Sequence, residues 1–433
     1  MNTTRRQFLK LFGGAGLGLA VPGLPFLEAR AAQSIQPYTG LALVTVFAQG
    51  GWDHSSFCDP RENTVVNGWA ATGTAGTAGN LRYAPMGENA EFFEKYYDRM
   101  LVINGIDLQT NGHDAASVTQ HAGSLSGLPM TNALVAAIKG KGLPMPWLID
   151  GGETVNQGIQ PFTYLPTDGQ MRQLANPNQR DASRVFFRNS DVAIIERYRT
   201  QRLETQRASA TLLPLTQRKL EDLYTASTSH ELMDQLAAAL PTTIDTLDLK
   251  GETIAKISAI HRLLVAIKAG ICVTGSLSTR SGFDTHSNHD VTHANSLKEL
   301  TRTLDYLWTK AEELGVADRL VVHVSSDVGR TPYYNGTSGK DHWSLGSSVI
   351  MMKNQTWTNR AVGLSGPLHQ KLKINPVTLQ EDADGVSLQT AHVHRLLRQI
   401  MGVQDDPLAV RFGFSAPEIG LLDPAHSSGV VVA

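Results

Sequence analysis

Short apolar runs, each closed by glycine, aspartate or asparagine, set the rhythm of this chain. Leu41–Ala48 (LALVTVFA) is apolar and β-branched and ends in Gln49-Gly50-Gly51-Trp52-Asp53, the pattern of a buried strand running into a loop. Met100–Ile106, Trp147–Ile149, Leu320–Ser325 and Ser348–Met352 repeat the pattern. Between them, apolar residues take helical spacing in Asn89–Tyr97, Ile254–Ala269 and Asn295–Leu314. Strands alternating with helices predict a mainly parallel sheet covered on both faces. From about residue 181 to 245 the texture changes to continuous helix-like sequence rich in Arg, Gln, Glu and Leu, which predicts a helical insertion.

Composition narrows this only slightly. At 433 residues the chain fits two or three domains, or one large α/β domain with insertions. With 41% hydrophobic and 18% charged residues it is not a disordered chain. Lys plus Arg total 38 against 40 Asp plus Glu, so no global basic field attracts nucleic acid or an anionic membrane. Outside the first ten residues there is no Lys/Arg-rich run, and nucleic acid is not expected as a partner.

The N-terminus reads as an address. Thr4-Arg5-Arg6-Gln7-Phe8-Leu9-Lys10, an apolar glycine-rich stretch over 11–26 and Ala29-Arg30-Ala31-Ala32 make the three parts of a secretory peptide. Paired arginines point to the twin-arginine route, with residues 1–32 as the signal and 33–433 as the mature protein. The glycines and prolines of that stretch make it a poor membrane span, so no transmembrane domain is expected after cleavage. The expected place is the periplasm or outside the cell, with the twin-arginine translocase as a partner during export. There Cys58 and Cys272 meet an oxidising environment, and a disulfide and two separate buried thiols are equally open.

Chemistry gathers at the ends of the strand-like runs, where open α/β sheets place their ligand sites. Gly50-Gly51-Trp52-Asp53-His54 follows the first strand, and Asp53 there is either a ligand or a turn cap. Thr110-Asn111-Gly112-His113-Asp114 opens a helix on which His113, Ser117 and His121 share a face, and Asp114 is equally an N-cap. Gly282–His289 (GFDTHSNH), with His293 four residues on, is dense in imidazole for a chain with 14 histidines. Asp284 and His286 suit a divalent ion, and His289 and His293 are either ligands or structural. Ser325–Pro332 (SSDVGRTP) supplies Asp327 as a ligand and Arg330 as a clamp for phosphate or sulfate oxygens. Gly339–Trp343 (GKDHW) adds His342. Carboxylates and imidazoles from separate strand ends are what a one- or two-metal hydrolase requires.

In this order, GGWDH, GFDTHSNH, SSDVGRTP and GKDHW, after a twin-arginine signal, resemble the DUF1501 family, which is assigned to the alkaline phosphatase and sulfatase superfamily. The resemblance runs from about 41 to 402 and implies an alkaline-phosphatase-like α/β/α sandwich with metals at the carboxyl edge of its sheet. By position, Asp53 resembles the superfamily's first metal-binding aspartate, and Asp284 and His286 its later Asp/His pair. Asp327 takes the place of an acidic ligand that is commonly Glu, and His342 resembles the closing histidine. The helix start HDAASVTQH departs from the pattern, because Asp114 stands where a nucleophilic hydroxyl is expected. His113 then becomes a ligand, and the nucleophile is open between Ser117, Thr110 and a metal-bound hydroxide. The resulting expectation is an exported hydrolase of anionic phosphate or sulfate esters that uses one or two divalent ions (zinc, manganese, calcium or iron). Its expected ligands are Asp53, His113, Asp284, His286, Asp327 and His342; its expected catalytic residues are Asp114, Ser117 and Arg330. The alternative is a non-catalytic binding or assembly protein on the same fold. An oxidoreductase is disfavoured, since no GxGxxG follows a strand and no cysteine cluster exists.

Overall fold

The structure, a computed structural model, describes residues 36–425 apart from 126, 182, 210, 229, 280 and 281; the expected signal at 1–32 lies outside the described residues. One sheet is built from β1 (Ala42–Ala48), β2 (Met100–Asp107), β3 (Trp147–Asp150), β4 (Thr163–Tyr164), β5 (Thr274–Ser278), β6 (Leu320–Ser326), β7 (Leu345–Met351) and β8 (Arg360–Val362). Its order is β8-β2-β7-β6-β1-β5-β3-β4. All strands point the same way except β7, which is antiparallel to both β2 and β6. The helices are α1 (Asn89–Tyr96), α2 (His113–Ala122), α3 (Thr131–Lys139), α4 (Asp168–Ala175), α5 (Asn189–Arg207), α6 (Pro214–Thr228), α7 (His230–Ala239), α8 (Ile257–Lys268), α9 (His289–Glu313), α10 (Thr390–Ile400) and α11 (Pro407–Arg411).

Every residue of β1, β6 and β7 is buried. Successive strand side chains point to opposite faces, so both faces of the sheet are covered. Each fully buried Val or Leu there contributes about 1.5–3 kcal/mol. The fold is therefore the mixed α/β architecture that the sequence pattern predicts, with a mainly parallel sheet. α5, α6 and α7 occupy the stretch read as a helical insertion. α5 buries only Leu203, and Arg207 at its end pairs with Glu221 of α6 at 2.6 Å.

Two departures from the sequence pattern matter for the site. β5, Thr-Gly-Ser-Leu-Ser, has no apolar run, yet it is fully buried beside β1. Its hydroxyls are paired: Thr274 Oγ1 donates to Asn132 O at 3.3 Å, and Ser276 Oγ accepts from Trp147 Nε1 at 3.1 Å. Gly275 lets α8 sit close, because a Cβ there would stand 2.3 Å from Leu263. The second departure is β7. Between β6 and β7 no crossover helix intervenes, only a two-residue ribbon of Gly329–Arg330 with His342–Trp343. Such a return yields an antiparallel strand. β7 therefore begins at the edge where its neighbours end, with Leu345 opposite Asp107, and His342 arrives at the carboxyl edge of the sheet.

Both cysteines are buried and unpaired. Cys58 Sγ lies 3.2 Å from Ser347 Oγ on β7, whereas Cys272 lies two residues before β5. Three strand spacings, about 14 Å, separate those strands, which is beyond the reach of a disulfide. No helix among the described residues is long and apolar enough to cross a membrane.

His54, His323, His369 and His394 are all buried, and burial lowers each of them below the ordinary imidazole range, His323 to about 3. They are neutral in the folded chain and take up protons near pH 6.5 once unfolded. The stability they contribute is thus complete above that pH and is lost progressively as pH falls from about 6.5 toward 3. In urea titrations of chelator-treated protein, the midpoint is expected to drop between about pH 7.5 and about pH 5 with an unchanged m-value. An equal midpoint at both pH values would contradict this account.

Candidate metal centre

Four loops meet at the carboxyl edge: those after β1, after β2, before α9 and between β6 and β7. β1 leaves through Gly50 and Gly51, with φ of 108° and 82°, conformations that favour glycine. β6 leaves through Ser326 and Asp327; Ser326 Oγ accepts from Trp52 N at 2.8 Å and Asp327 Oδ1 from Gly50 N at 3.1 Å, which locks these two exits together. The loop before α9 carries Asp284 and His286, and the loop before β7 carries Asp341 and His342. These last two lie directly against each other. A Cβ on Gly339 would stand 1.9 Å from the His286 carbonyl, Lys340 N donates to Thr285 O at 3.0 Å, and Asn335 Nδ2 and Thr337 Oγ1 both donate to His286 O.

Three imidazoles converge where the loops meet. His113 Nδ1 is 2.6 Å from Asp327 Oδ2, His286 Nδ1 is 2.9 Å from Asp341 Oδ1, and His342 Nδ1 is 2.9 Å from Asn111 O. A carboxylate or carbonyl oxygen only accepts, so each Nδ1 carries a proton, which places the lone pair of the ring's neutral form on Nε2. All three Nε2 atoms surround Asp284 Oδ1, at 3.4 Å from His113, 3.1 Å from His286 and 3.3 Å from His342. His286 Nε2 and His342 Nε2 are 3.0 Å apart. His113 Nε2 is buried and has no hydrogen-bond partner among the described residues. One ligand atom each from His113, Asp284 and His342 lie within 4.8 Å of one another.

Electrostatics keep this group ready for a cation. Burial pushes the Asp284 carboxyl up, but the Arg330 hydrogen bond and charge, with help from His342 and His113, outweigh it and hold the group at about 2. Burial lowers His342 despite Asp284 beside it, so that ring is neutral at pH 7. Side-chain exposures of 32% for His113, 39% for Asp284, 46% for His286 and 24% for His342 leave the group open to a small molecule from solvent.

The remaining expected residues do other things. Asp327 orients His113 through Nδ1 and is itself almost fully buried. Arg330, expected to clamp a transferring group, is fully buried; it donates to Gly51 O at 2.9 Å, Lys340 O at 3.0 Å, Asp284 Oδ1 at 2.7 Å and also Gly50 O. Its fork is committed to protein oxygens and fixes Asp284 instead of reaching substrate. Asp53 does not join the imidazole group. It is fully buried, caps its own turn through Ser55 N at 2.9 Å, and pairs with Lys340 Nζ at 2.5 Å and His289 Nε2 at 3.1 Å. Burial pushes its carboxyl up, yet Lys340, then His289, carry it well below the usual range. Asp114 is exposed and makes none of the contacts of this cluster, and Ser117 lies half-buried one turn along α2. His289 and His293 brace the Asp53 turn: the rings stack at 4.5 Å and His293 Nε2 accepts from Asp53 N at 2.9 Å. Lys340 and Asp341 escaped the sequence reading, although both stand inside the GKDHW motif.

The family model described as a protein of unknown function, DUF1501, matches residues 41–395. This chain belongs to the DUF1501 family. No curated protein matches the sequence. Among solved structures, a sulfatase from Pseudoalteromonas sp. shares 9% identity at a TM-score of 0.40, over 90% of this chain and 73% of its own. The alkaline phosphatase from the Antarctic bacterium TAB5 shares 8% at a TM-score of 0.29, over 73% and 91% respectively. A third, in complex with its substrate D-glucosamine-2-N,6-O-disulfate, shares 7% at 0.34, over 86% and 78%. Likeness at this level carries no argument about activity or site.

The interlocked loops of this DUF1501 chain leave no space for a side chain at Gly339. Gly339→Ala forces backbone apart and is expected to destabilise by about 1–3 kcal/mol, read as a lowered urea midpoint. An unchanged midpoint would mean that the two loops are not packed as described.

Proposed function

We propose that this DUF1501 protein is an exported, metal-dependent hydrolase of phosphate or sulfate esters on an alkaline-phosphatase-like fold. The observation that carries the reading is the convergence of three imidazole Nε2 atoms on Asp284 Oδ1. Two lone pairs 3.0 Å apart repel unless a proton or a metal ion lies between them, and burial of His342 disfavours the proton. Tetrahedral ligands about 2.1 Å from zinc stand about 3.4 Å from one another, in line with the 3.0 to 3.4 Å separations here. Charge agrees. Asp284, Asp327 and Asp341 against Arg330 leave two negative charges, the complement of a divalent ion. An imidazole-rich set favours zinc, manganese or iron over calcium, which takes oxygen ligands.

When bound, such an ion polarises an ester oxygen and acidifies water. The chain's own residues do the rest. His113, His342 and Asp284 would hold the ion, with His286 beside them. Asp327, Asp341 and the Asn111 carbonyl hold the Nδ1 protons and so aim the lone pairs, and Arg330 keeps Asp284 ionised. No side chain caps α2, which begins at His113, so its first-turn N–H groups suit the anionic oxygens of an ester. Ser117 on α2 and Thr110 just before it are the side-chain candidates for attack on the ester. Export by the twin-arginine route is supported by Arg5-Arg6 and the apolar stretch after them.

Metal analysis of protein purified from the periplasm tests this reading. One or more stoichiometric ions are expected, lost in Asp284→Ala and His286→Ala, with chelator-sensitive turnover of p-nitrophenyl phosphate or sulfate. Asp327→Asn, which keeps the size but weakens the hold on His113, is expected to bind metal about 10–100-fold more weakly in chelator competition. Metal-free protein without turnover would move the assignment to a binding or assembly protein.

A further inference from the structure

We infer that the cation at Asp53 is the protein's own: the Lys340 ammonium fills the oxygen cage there and limits the centre to one metal ion. The inference rests on the metal-centre reading above and adds to it the stoichiometry and the residue that sets it.

Lys340 and Asp53 are both fully buried. Lys340 Nζ lies 2.5 Å from Asp53 Oδ2, 3.3 Å from Asn67 Oδ1 and 3.5 Å from Ser55 Oγ, with the Tyr334 ring centred 5.2 Å away. Three oxygens around one point suit a hard cation, and a lysine head occupies it. The carboxylate is otherwise spent: Oδ1 accepts from Ser55 N at 2.9 Å and Ser55 Oγ at 2.5 Å, while Oδ2 takes Ser56 Oγ and His289 Nε2, each at 3.1 Å. With Lys340 Nζ also on Oδ2, the roughly four lone-pair sites of a carboxylate are all taken, and only loss of the lysine frees one for a metal.

The question of a second ion is a physical one, because Asp53, His54 and His369 place ligand atoms within 4.8 Å of one another. The His54 and His369 rings stack at 4.1 Å, and their four ring nitrogens have no hydrogen-bond partner among the described residues. Charge decides against an ion there. Asp53 is balanced by Lys340, and Asp59 by Arg61 at 2.7 Å. A divalent ion between two neutral imidazoles would add two uncompensated charges in a fully buried region, which desolvation strongly opposes. At the solvent-facing centre the imbalance runs the other way.

Lys340 also reaches that centre through the backbone. Its N–H donates to Thr285 O, between Asp284 and His286, and its carbonyl accepts from Arg330 Nη1. Anchoring its head on Asp53 therefore positions Asp341 and His342, the next two residues. Lys340 is a positioning residue that stands in for a second ion.

Manganese counting tests this: full-length protein is equilibrated with manganese(II) chloride, freed of excess by gel filtration, and read by mass spectrometry and electron paramagnetic resonance. Wild type is expected to hold one equivalent with an uncoupled signal, and Lys340→Ala, with the cage opened, to hold one more. Lys340→Arg, which keeps the charge, should stay at one. Two equivalents in wild type, or no gain in Lys340→Ala, overturns the inference. Should Lys340→Ala fail to fold, the wild-type count decides alone. Wild type with no manganese overturns the metal-centre reading instead, and uptake by Lys340→Ala then judges the lysine separately: gain supports it, no gain overturns it.

Discussion

The candidate site depends on where three protons sit. His113, His286 and His342 each give Nδ1–H to an oxygen that can only accept, so three Nε2 lone pairs are turned toward one carboxylate oxygen. Without the acceptors Asp327, Asp341 and Asn111 O, either ring nitrogen could carry the proton and the convergence would have no fixed chemistry. Orientation by outer partners, more than the number of histidines, makes this group a candidate metal centre.

The fold supplies those acceptors through one topological choice. A wholly parallel sheet would carry the chain to the opposite edge before β7; the reversed strand brings His342 and Asp341 back to the carboxyl edge instead. There they interlock with the loop of Asp284 and His286. Two electrostatic layers result. The inner one, Asp53 with Lys340 and Asp59 with Arg61, is balanced and sealed; the outer one, around Asp284, carries excess negative charge and faces solvent. Balanced charge inside and unbalanced charge outside is the distribution expected when burial is tolerated only for paired ions.

Much of this was legible in the sequence. The apolar runs located β1, β2, β3, β6 and β7, and the motifs at their ends named the imidazoles that meet. β5 was hidden because Thr-Gly-Ser-Leu-Ser lacks an apolar run, and its burial depends on hydroxyl partners in distant segments. α9 was expected to begin at Asn295 but starts at His289, since polar residues opened it and only the Asp53 turn explains why they are buried. Lys340 was invisible for a related reason: lysine is almost never fully buried unless paired, and its partner lies 287 residues away. Asp53 and Arg330 were found as polar residues at strand ends, but sequence could not say that Lys340 and backbone carbonyls would claim them. Sequence identifies which groups are present; pairing decides which stay free.

X-ray absorption at the edge of whatever transition metal the isolated protein holds tests the central claim most directly. An ion held by these imidazoles gives a nitrogen/oxygen shell at about 2.0–2.1 Å together with the outer-shell scattering of at least two imidazoles, weakened when His113 or His342 is replaced. A shell of oxygen ligands without imidazole scattering, or a spectrum indifferent to both replacements, would contradict it.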